Sequence, residues 1–278
     1  MNYVLQELNH SELNMLFGDK EKLLLKYFIY KSLFSQPELL PDQSPLPIQI
    51  PKEHIEQWIV QALGVKSIGA GSYPIDVFSP TDKWGADVKM LSAKVDINNN
   101  LRENAESGET SLAQKFRNTG VNLDSLFTDH KYEQIKDEWL NIYKEKYDRV
   151  FEEKGISTIY YFFVIRAGLT FYLVGLKVNL SNLENVIVHP ESRREQAVVL
   201  DNFIDPKLGT TRIYKAKKRL ELRLFPAEWQ KRNNFIKFSC LFEINKTNLR
   251  ETITDDASLS KYFSELAKSV ILTPITIQ

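Results

Sequence analysis

Three side chains close together in this 278-residue sequence have the types and spacing to do chemistry jointly. Pro74-Ile-Asp76 and Trp84-Gly-Ala-Asp87-Val-Lys89-Met-Leu91 place two carboxylates and an ammonium inside runs that a strand would otherwise fill with apolar residues. Side chains alternate along a strand with period two, so Asp87 and Lys89 share a face. If the runs pair about a turn at Pro80-Thr-Asp-Lys-Trp-Gly85, Asp76 is expected opposite Lys89, and the three groups converge on a patch at the sheet edge. Carboxylates held close repel each other, and a hard divalent cation between them offsets that cost. Magnesium takes such oxygen donors, with waters and phosphate oxygens completing its shell. A neighbouring lysine can orient a water whose pKa the metal lowers, which suits phosphodiester hydrolysis. The plainer alternative is a solvated hairpin with an Asp76–Lys89 cross-strand ion pair, stabilising by roughly 0.2–1 kcal/mol.

Local patterning supplies the elements that would hold these groups. Leu13, Leu16, Leu23, Leu24, Tyr27, Phe28 and Phe34 fall near helical spacing and predict a helix over 11–35. The proline-rich segment 37–51 interrupts regular structure. Pro51 then opens a helix over 52–63, with Ile55, Trp58, Ile59 and Ala62 as its apolar stripe and Gly64 as its stop. After the hairpin, residues 98–110 are polar and read as a mobile loop, 111–119 as a short helix, and 130–153 as a long charged helix ending at Gly155. Residues 156–165 and 170–178 are β-branched and aromatic, joined by Arg166-Ala-Gly-Leu, and predict buried strands of a central sheet. Further strands are expected over 212–224 and 235–244, and a final helix over 258–270. Interleaved helices and strands define an α/β class.

Pro74-Ile-Asp76 followed by Asp87-Val-Lys89 resembles the bipartite signature of the PD-(D/E)XK nuclease superfamily, to which most type II restriction endonucleases belong; the likeness covers roughly residues 50 to 120. It implies a mixed central β-sheet flanked by helices, a restriction-endonuclease-like core over 51–180. A helical N-terminal extension over 1–50 and β-rich, DNA-contacting elements over 181–278 would complete a single domain. It also implies Mg2+-dependent cleavage of DNA, with Asp76, Asp87 and Lys89 as the catalytic residues. An acidic residue on the helix before the hairpin often joins the metal site in such nucleases, and Glu53 and Glu56 are the candidates. A first-turn acid such as Glu53 is equally what the helix dipole favours. A glutamine or lysine on the helix after the hairpin often lies near the site; Gln114 and Lys115 in the expected 111–119 helix match it, as a solvated helix face would too. Ser92-Ala-Lys94 has the final spacing but lacks an acid.

Formal charge is balanced at 36 basic and 36 acidic residues, which argues against a histone-like polyanion binder. The charge is segregated, however: Asp205 to Lys237 holds ten basic residues against three acidic ones. Read as a strand, 212–224 places Lys215, Lys217 and Arg219 on one face; Glu221 interrupts the row and Arg223 resumes it. Such cations neutralise DNA phosphates and release counterions, or they guard an exposed strand edge against aggregation. Arg193, Arg194, Arg232, Asn233 and Asn234 have side chains able to reach base edges. Cys240 lies in an apolar run and reads as a buried thiol. The N-terminus lacks a secretory pattern and no segment is apolar enough to span a membrane, so a cytoplasmic protein is expected. The expected function is a type II restriction enzyme cutting double-stranded DNA as a homodimer, because two identical sites about a two-fold axis suit a palindrome. The rivals are a structure-specific repair nuclease of the same superfamily and a non-catalytic nucleic-acid-binding protein.

Overall fold

The computed structural model describes residues 2–44, 48–68, 73–97, 101–103, 105–114, 116, 122–190, 196–272 and 275–278. Strand β1 (Leu5–Glu7) leads into α1 (His10–Leu16), which Asn9 and Glu12 close with a reciprocal capping box. The single helix expected over 11–35 is two, because Phe17 leaves helical geometry (φ −115, ψ 76) and Gly18 caps α2 (Asp19–Phe34). One 3-10 turn over Lys52–His54 opens α3 (Ile55–Leu63), and Gly64 ends it in the left-handed conformation at φ 64. Then follow β2 (Lys66–Ser67), β3 (Val77–Ser79), β4 (Trp84–Ser92), β5 (Thr110–Gln114), α4 (Leu123–Thr128) and α5 (Tyr132–Lys154). The apolar run folds as β6 (Thr158–Ala167) and β7 (Thr170–Val178), and β8 (Ile187–Val188), β9 (Ala197–Asp201), β10 (Gly209–Tyr214) and β11 (Arg219–Leu224) come next. The chain closes with α6 (Pro226–Arg232), β12 (Ile236–Cys240), α7 (Leu249–Thr252), α8 (Asp256–Leu272) and β13 (Ile275–Ile277).

The protein is mixed α/β, and its larger sheet is mixed and flanked by helices. Among the described residues that sheet runs β13-β12-β7-β6-β4-β3-β2, with β1 beside β7. Among its described strands only β4 and β6 run parallel, over nine residue pairs from Trp84↔Thr158 to Ser92↔Arg166. A second sheet, β5-β11-β10-β9-β8, is antiparallel throughout.

Period-two alternation sorts the large sheet into two buried faces. Trp84, Ala86, Val88 and Met90 of β4, with Phe162 and Val164 of β6, pack under Ile55, Trp58 and Ile59 of α3 and apolar residues of α1 and α2. Leu91 of β4, with Tyr161, Phe163 and Ile165 of β6, packs against Trp139, Tyr143 and Tyr147 of α5 and against the second sheet. Asp87 and Lys89 belong to this second face. Helix α5 is therefore the element that lies over them.

Two expectations fail here for identifiable reasons. The helix expected over 111–119 is not formed in 111–114: Thr110–Gln114 is strand β5, antiparallel to β11, so long-range pairing overrides local preference, and residues 115 and 117–119 lie outside the described residues. A register shift between Leu220 and Glu221 lets consecutive Leu112 and Ala113 both be buried. Residues 212–224 are not one strand but β10 and β11 folded about a turn at 215–218, with Lys218 at φ 48. That turn lacks the Gly, Pro or Asn that would announce it in sequence. The loop expected over 98–110 lies partly outside the described residues; Val95↔Leu101 and Ala93↔Ser107 bridges tie down the remainder before β5 begins at Thr110.

Candidate active site

Strand β4 lies between β6 and β3, so the carboxylates stand in the interior of the sheet and not at its edge. The hairpin register also differs from expectation. Val77 faces Ala86 and Ser79 faces Trp84, because the turn occupies residues 80–83, with Lys83 at φ 56, and releases Trp84 and Gly85 into β4. Asp76, just before β3, therefore lies beside Asp87 and not opposite Lys89; its backbone N–H donates to Ala86 O at 2.9 Å.

The side chains nevertheless converge. Lys89 Nζ lies 3.1 Å from Asp76 Oδ2 and 2.5 Å from Asp87 Oδ1. Asp76 Oδ2 also accepts the Val88 backbone N–H at 2.7 Å, which fixes its carboxylate against β4. Asp87 is only 6% exposed, and its Oδ1, although in ion-pair contact, makes no directed hydrogen bond. Burial, then the Asp87 carboxylate, push the Asp76 pKa up to about 7. For Lys89 burial works against the charge, but Asp87 and Asp76 outweigh it and hold the ammonium above the ordinary lysine range.

A fourth charged group enters from α5. Lys146 Nζ lies 3.8 Å from Asp87 Oδ2, donates to Leu112 O at 2.9 Å and to Tyr147 OH at 3.1 Å, and sits 4.6 Å from the Tyr147 ring centroid. Burial pushes its pKa down, partly opposed by Asp87. The sequence held a signal for it. Trp139, Tyr143, Tyr147 and Val150 form the buried face of α5, and Lys146 falls within that stripe.

The other expected site residues are placed elsewhere. Helix α3 packs on the opposite face of β4, so Glu53, exposed, and Glu56, partly exposed, lie across the sheet from Lys89. Among the described residues no group of three or more His, Cys, Asp or Glu side chains could hold a metal ion. Lys94 follows the end of β4 and is exposed. Gln114 closes β5 opposite Arg219, while Lys115, Arg193 and Arg194 lie outside the described residues.

Half of the ten cations in the basic segment are neutralised from within. Lys217 is paired with Glu109 and, at 3.1 Å, with Glu221; Arg223 holds Glu106 and Glu109; Arg232 holds Glu7 and, at 2.7 Å, Asp205. Asn233 ends α6 in the left-handed conformation, and Asn234 Nδ2 donates to Glu7 Oε2 at 2.9 Å. Lys215 and Arg219 have no ion-pair partner among the described residues. They do not share a strand face with Lys217 as expected: Lys215 and Lys217 are in the turn, and Arg219 opens β11. No helix among the described residues is long and apolar enough to cross a membrane. No protein-family model, curated protein or solved structure matches the chain. Its function is therefore read from these residues and their chemistry.

Proposed function

We propose that the chain is a magnesium-dependent endonuclease of restriction type, with a restriction-endonuclease-like core, that hydrolyses phosphodiester bonds of double-stranded DNA as a homodimer. The observation that carries this reading is the convergence of Asp76, Asp87 and Lys89 on one face of β4, with one ammonium in contact with both carboxylates. The donor set fits the cation. Both groups are hard oxygen donors, and Asp76 is raised by burial and by Asp87. A magnesium site needs only one or two protein carboxylates, since waters and phosphate oxygens supply the remainder.

Asp76 and Asp87 would hold Mg2+, which supplies charge stabilisation at the phosphoryl oxygen and acidifies a bound water. The protein's own groups supply the rest. Lys89, kept cationic by its two carboxylates, presents N–H donors that orient the attacking water and counter charge developing on the phosphate. The Val88 N–H fixes Asp76, so the donor set is organised before DNA arrives. Phosphate binding falls to Lys215 and Arg219 on the β10–β11 hairpin, which, like Arg212 of β10, have no internal ion-pair partner among the described residues. The rival reading, a non-catalytic DNA binder, draws its force from the basic segment, and half of its ten cations are matched by acids of the same chain.

The direct test incubates the protein with supercoiled plasmid in Mg2+ and, separately, in EDTA. Discrete fragments in Mg2+ alone are expected, and sequencing their ends identifies the site. Intact plasmid at every Mg2+ and Mn2+ concentration, from protein shown to be folded, overturns the reading.

A further inference from the structure

Lys146 is a buried ammonium that hydrolysis by Asp76, Asp87 and Lys89 does not itself require. An ammonium has three N–H donors. Two are spent on fixed acceptors, Leu112 O of β5 at 2.9 Å and Tyr147 OH of α5 at 3.1 Å. The Tyr147 hydroxyl is in turn hydrogen-bonded to that of Tyr161, the β6 residue in register with Asp87. Both rings flank the ammonium, with Tyr147 at 4.6 Å and Tyr161 at 5.9 Å from Nζ to centroid. The Lys146 charge then stands 3.8 Å from Asp87 Oδ2, while Lys89 takes Asp87 Oδ1 at 2.5 Å. Each oxygen of Asp87 thus faces a different cation, and this sets the rotation of the carboxylate. Burying a charge among aromatic rings costs stability unless partners offset it, so packing alone does not account for a lysine here.

We propose that Lys146 is a positioning residue: it orients the Asp87 carboxylate and, through Leu112, ties the five-stranded sheet to the site. The inference rests on the nuclease reading, since it acts through Asp87 without touching DNA. Lys146→Met keeps an unbranched side chain one atom shorter and removes the buried charge. Groups that orient a metal ligand are typically worth about 10- to 100-fold in activity, so kcat is expected to fall by about that factor. KM for DNA stays unchanged, while the melting temperature of the metal-free protein falls, because removing one partner of a buried pair leaves Asp87 Oδ2 without its cation. Tyr147→Phe removes one anchor of Nζ and gives a smaller loss of kcat with the same split; it decides the matter if the methionine variant does not fold. Lys146→Met protein that cuts at the wild-type rate overturns the inference alone. So does a loss of cutting that tracks weakened DNA binding. Wild-type protein that leaves DNA intact overturns the nuclease reading and this inference with it.

Discussion

At neutral pH the Asp76 carboxyl stands near its own titration midpoint, lifted from 3.8 to about 7 by burial first and by the Asp87 carboxylate second. A carboxyl raised on folding binds its proton more tightly folded than unfolded. Between about pH 4 and pH 7 the native state therefore holds a proton that the unfolded chain has released, and stability falls as pH rises through that window. In metal-free protein, the melting temperature measured against pH should decline across this range relative to an Asp76→Asn variant, whose carboxamide has nothing to titrate. The variant should be the more stable at pH 8 and unable to cut, since function and stability pull apart at a strained site. A melting temperature for Asp76→Asn below that of wild type at pH 8 would show that Lys89 already relieves the carboxylate repulsion. The grouping of Asp76, Asp87 and Lys89 is legible in sequence because residue type and period-two spacing survive an even register slip. The partner of each residue is not, because the turn about 80–83 holds no glycine to mark its end, and a slip of two residues keeps every face the same. Lys146 is hidden in sequence as one charge among many on a charged helix, although it lies within that helix's aromatic stripe.

Helix α5 and the β10–β11 hairpin show how elements decide what a charge is available to do. Sequence marks Lys217 as a phosphate binder, yet Glu109 and Glu221 already hold it. Lys217→Ala should therefore leave DNA affinity and its salt dependence nearly unchanged. Lys215→Ala or Arg219→Ala should weaken binding across sequences and flatten the slope of log K against log salt by about 0.9 for each phosphate no longer neutralised. Equal effects from all three variants would mean that the Lys217 pairs open when DNA binds. Glu109 is the hub of this hairpin. Burial opposes its charge, but hydrogen bonds from Lys217, Glu221, Tyr214 and Arg223 prevail and bring its pKa from 4.5 to about 2. A carboxylate lowered on folding contributes stability that is full above its unfolded pKa and lost as pH falls from about 4.5 toward about 2. Amide protection factors in residues 219–223 should fall over that window in wild type, once the intrinsic slowing of exchange by acid is divided out, and a Glu109→Gln variant should show the lower protection already at pH 7. Exchange in the variant that matches wild type at pH 7 would show that strand pairing alone holds the hairpin.

Among the described residues the molecule is an eight-stranded mixed sheet with helices α1, α2 and α3 on one face and α5 with a five-stranded sheet on the other. The first of these layers can be read from sequence. Periodic apolar residues mark the N-terminal helices, and the β-branched run marks β6 and β7, the centre of the sheet. The second sheet cannot, because its defining pair joins β5 to β11 across a hundred residues of chain, and no local pattern carries such a pairing. That layer matters to the site: through Leu112 it holds Lys146 over Asp87. The balanced formal charge has a counterpart in the fold, where acids at Glu7, Glu106, Glu109 and Asp205 meet much of the basic segment. The measurement that tests the central claim most directly compares plasmid cleavage in Mg2+ by wild type, Asp87→Asn and Lys89→Ala, beside DNA affinity in Ca2+ and the melting temperature of each. The account predicts that wild type cuts, that both variants lose cleavage or nearly so while folding and binding DNA, and that Asp87→Asn binds at least as tightly as wild type. Folded variants that cut like wild type would contradict it and reduce Asp76, Asp87 and Lys89 to a buried ion-pair cluster.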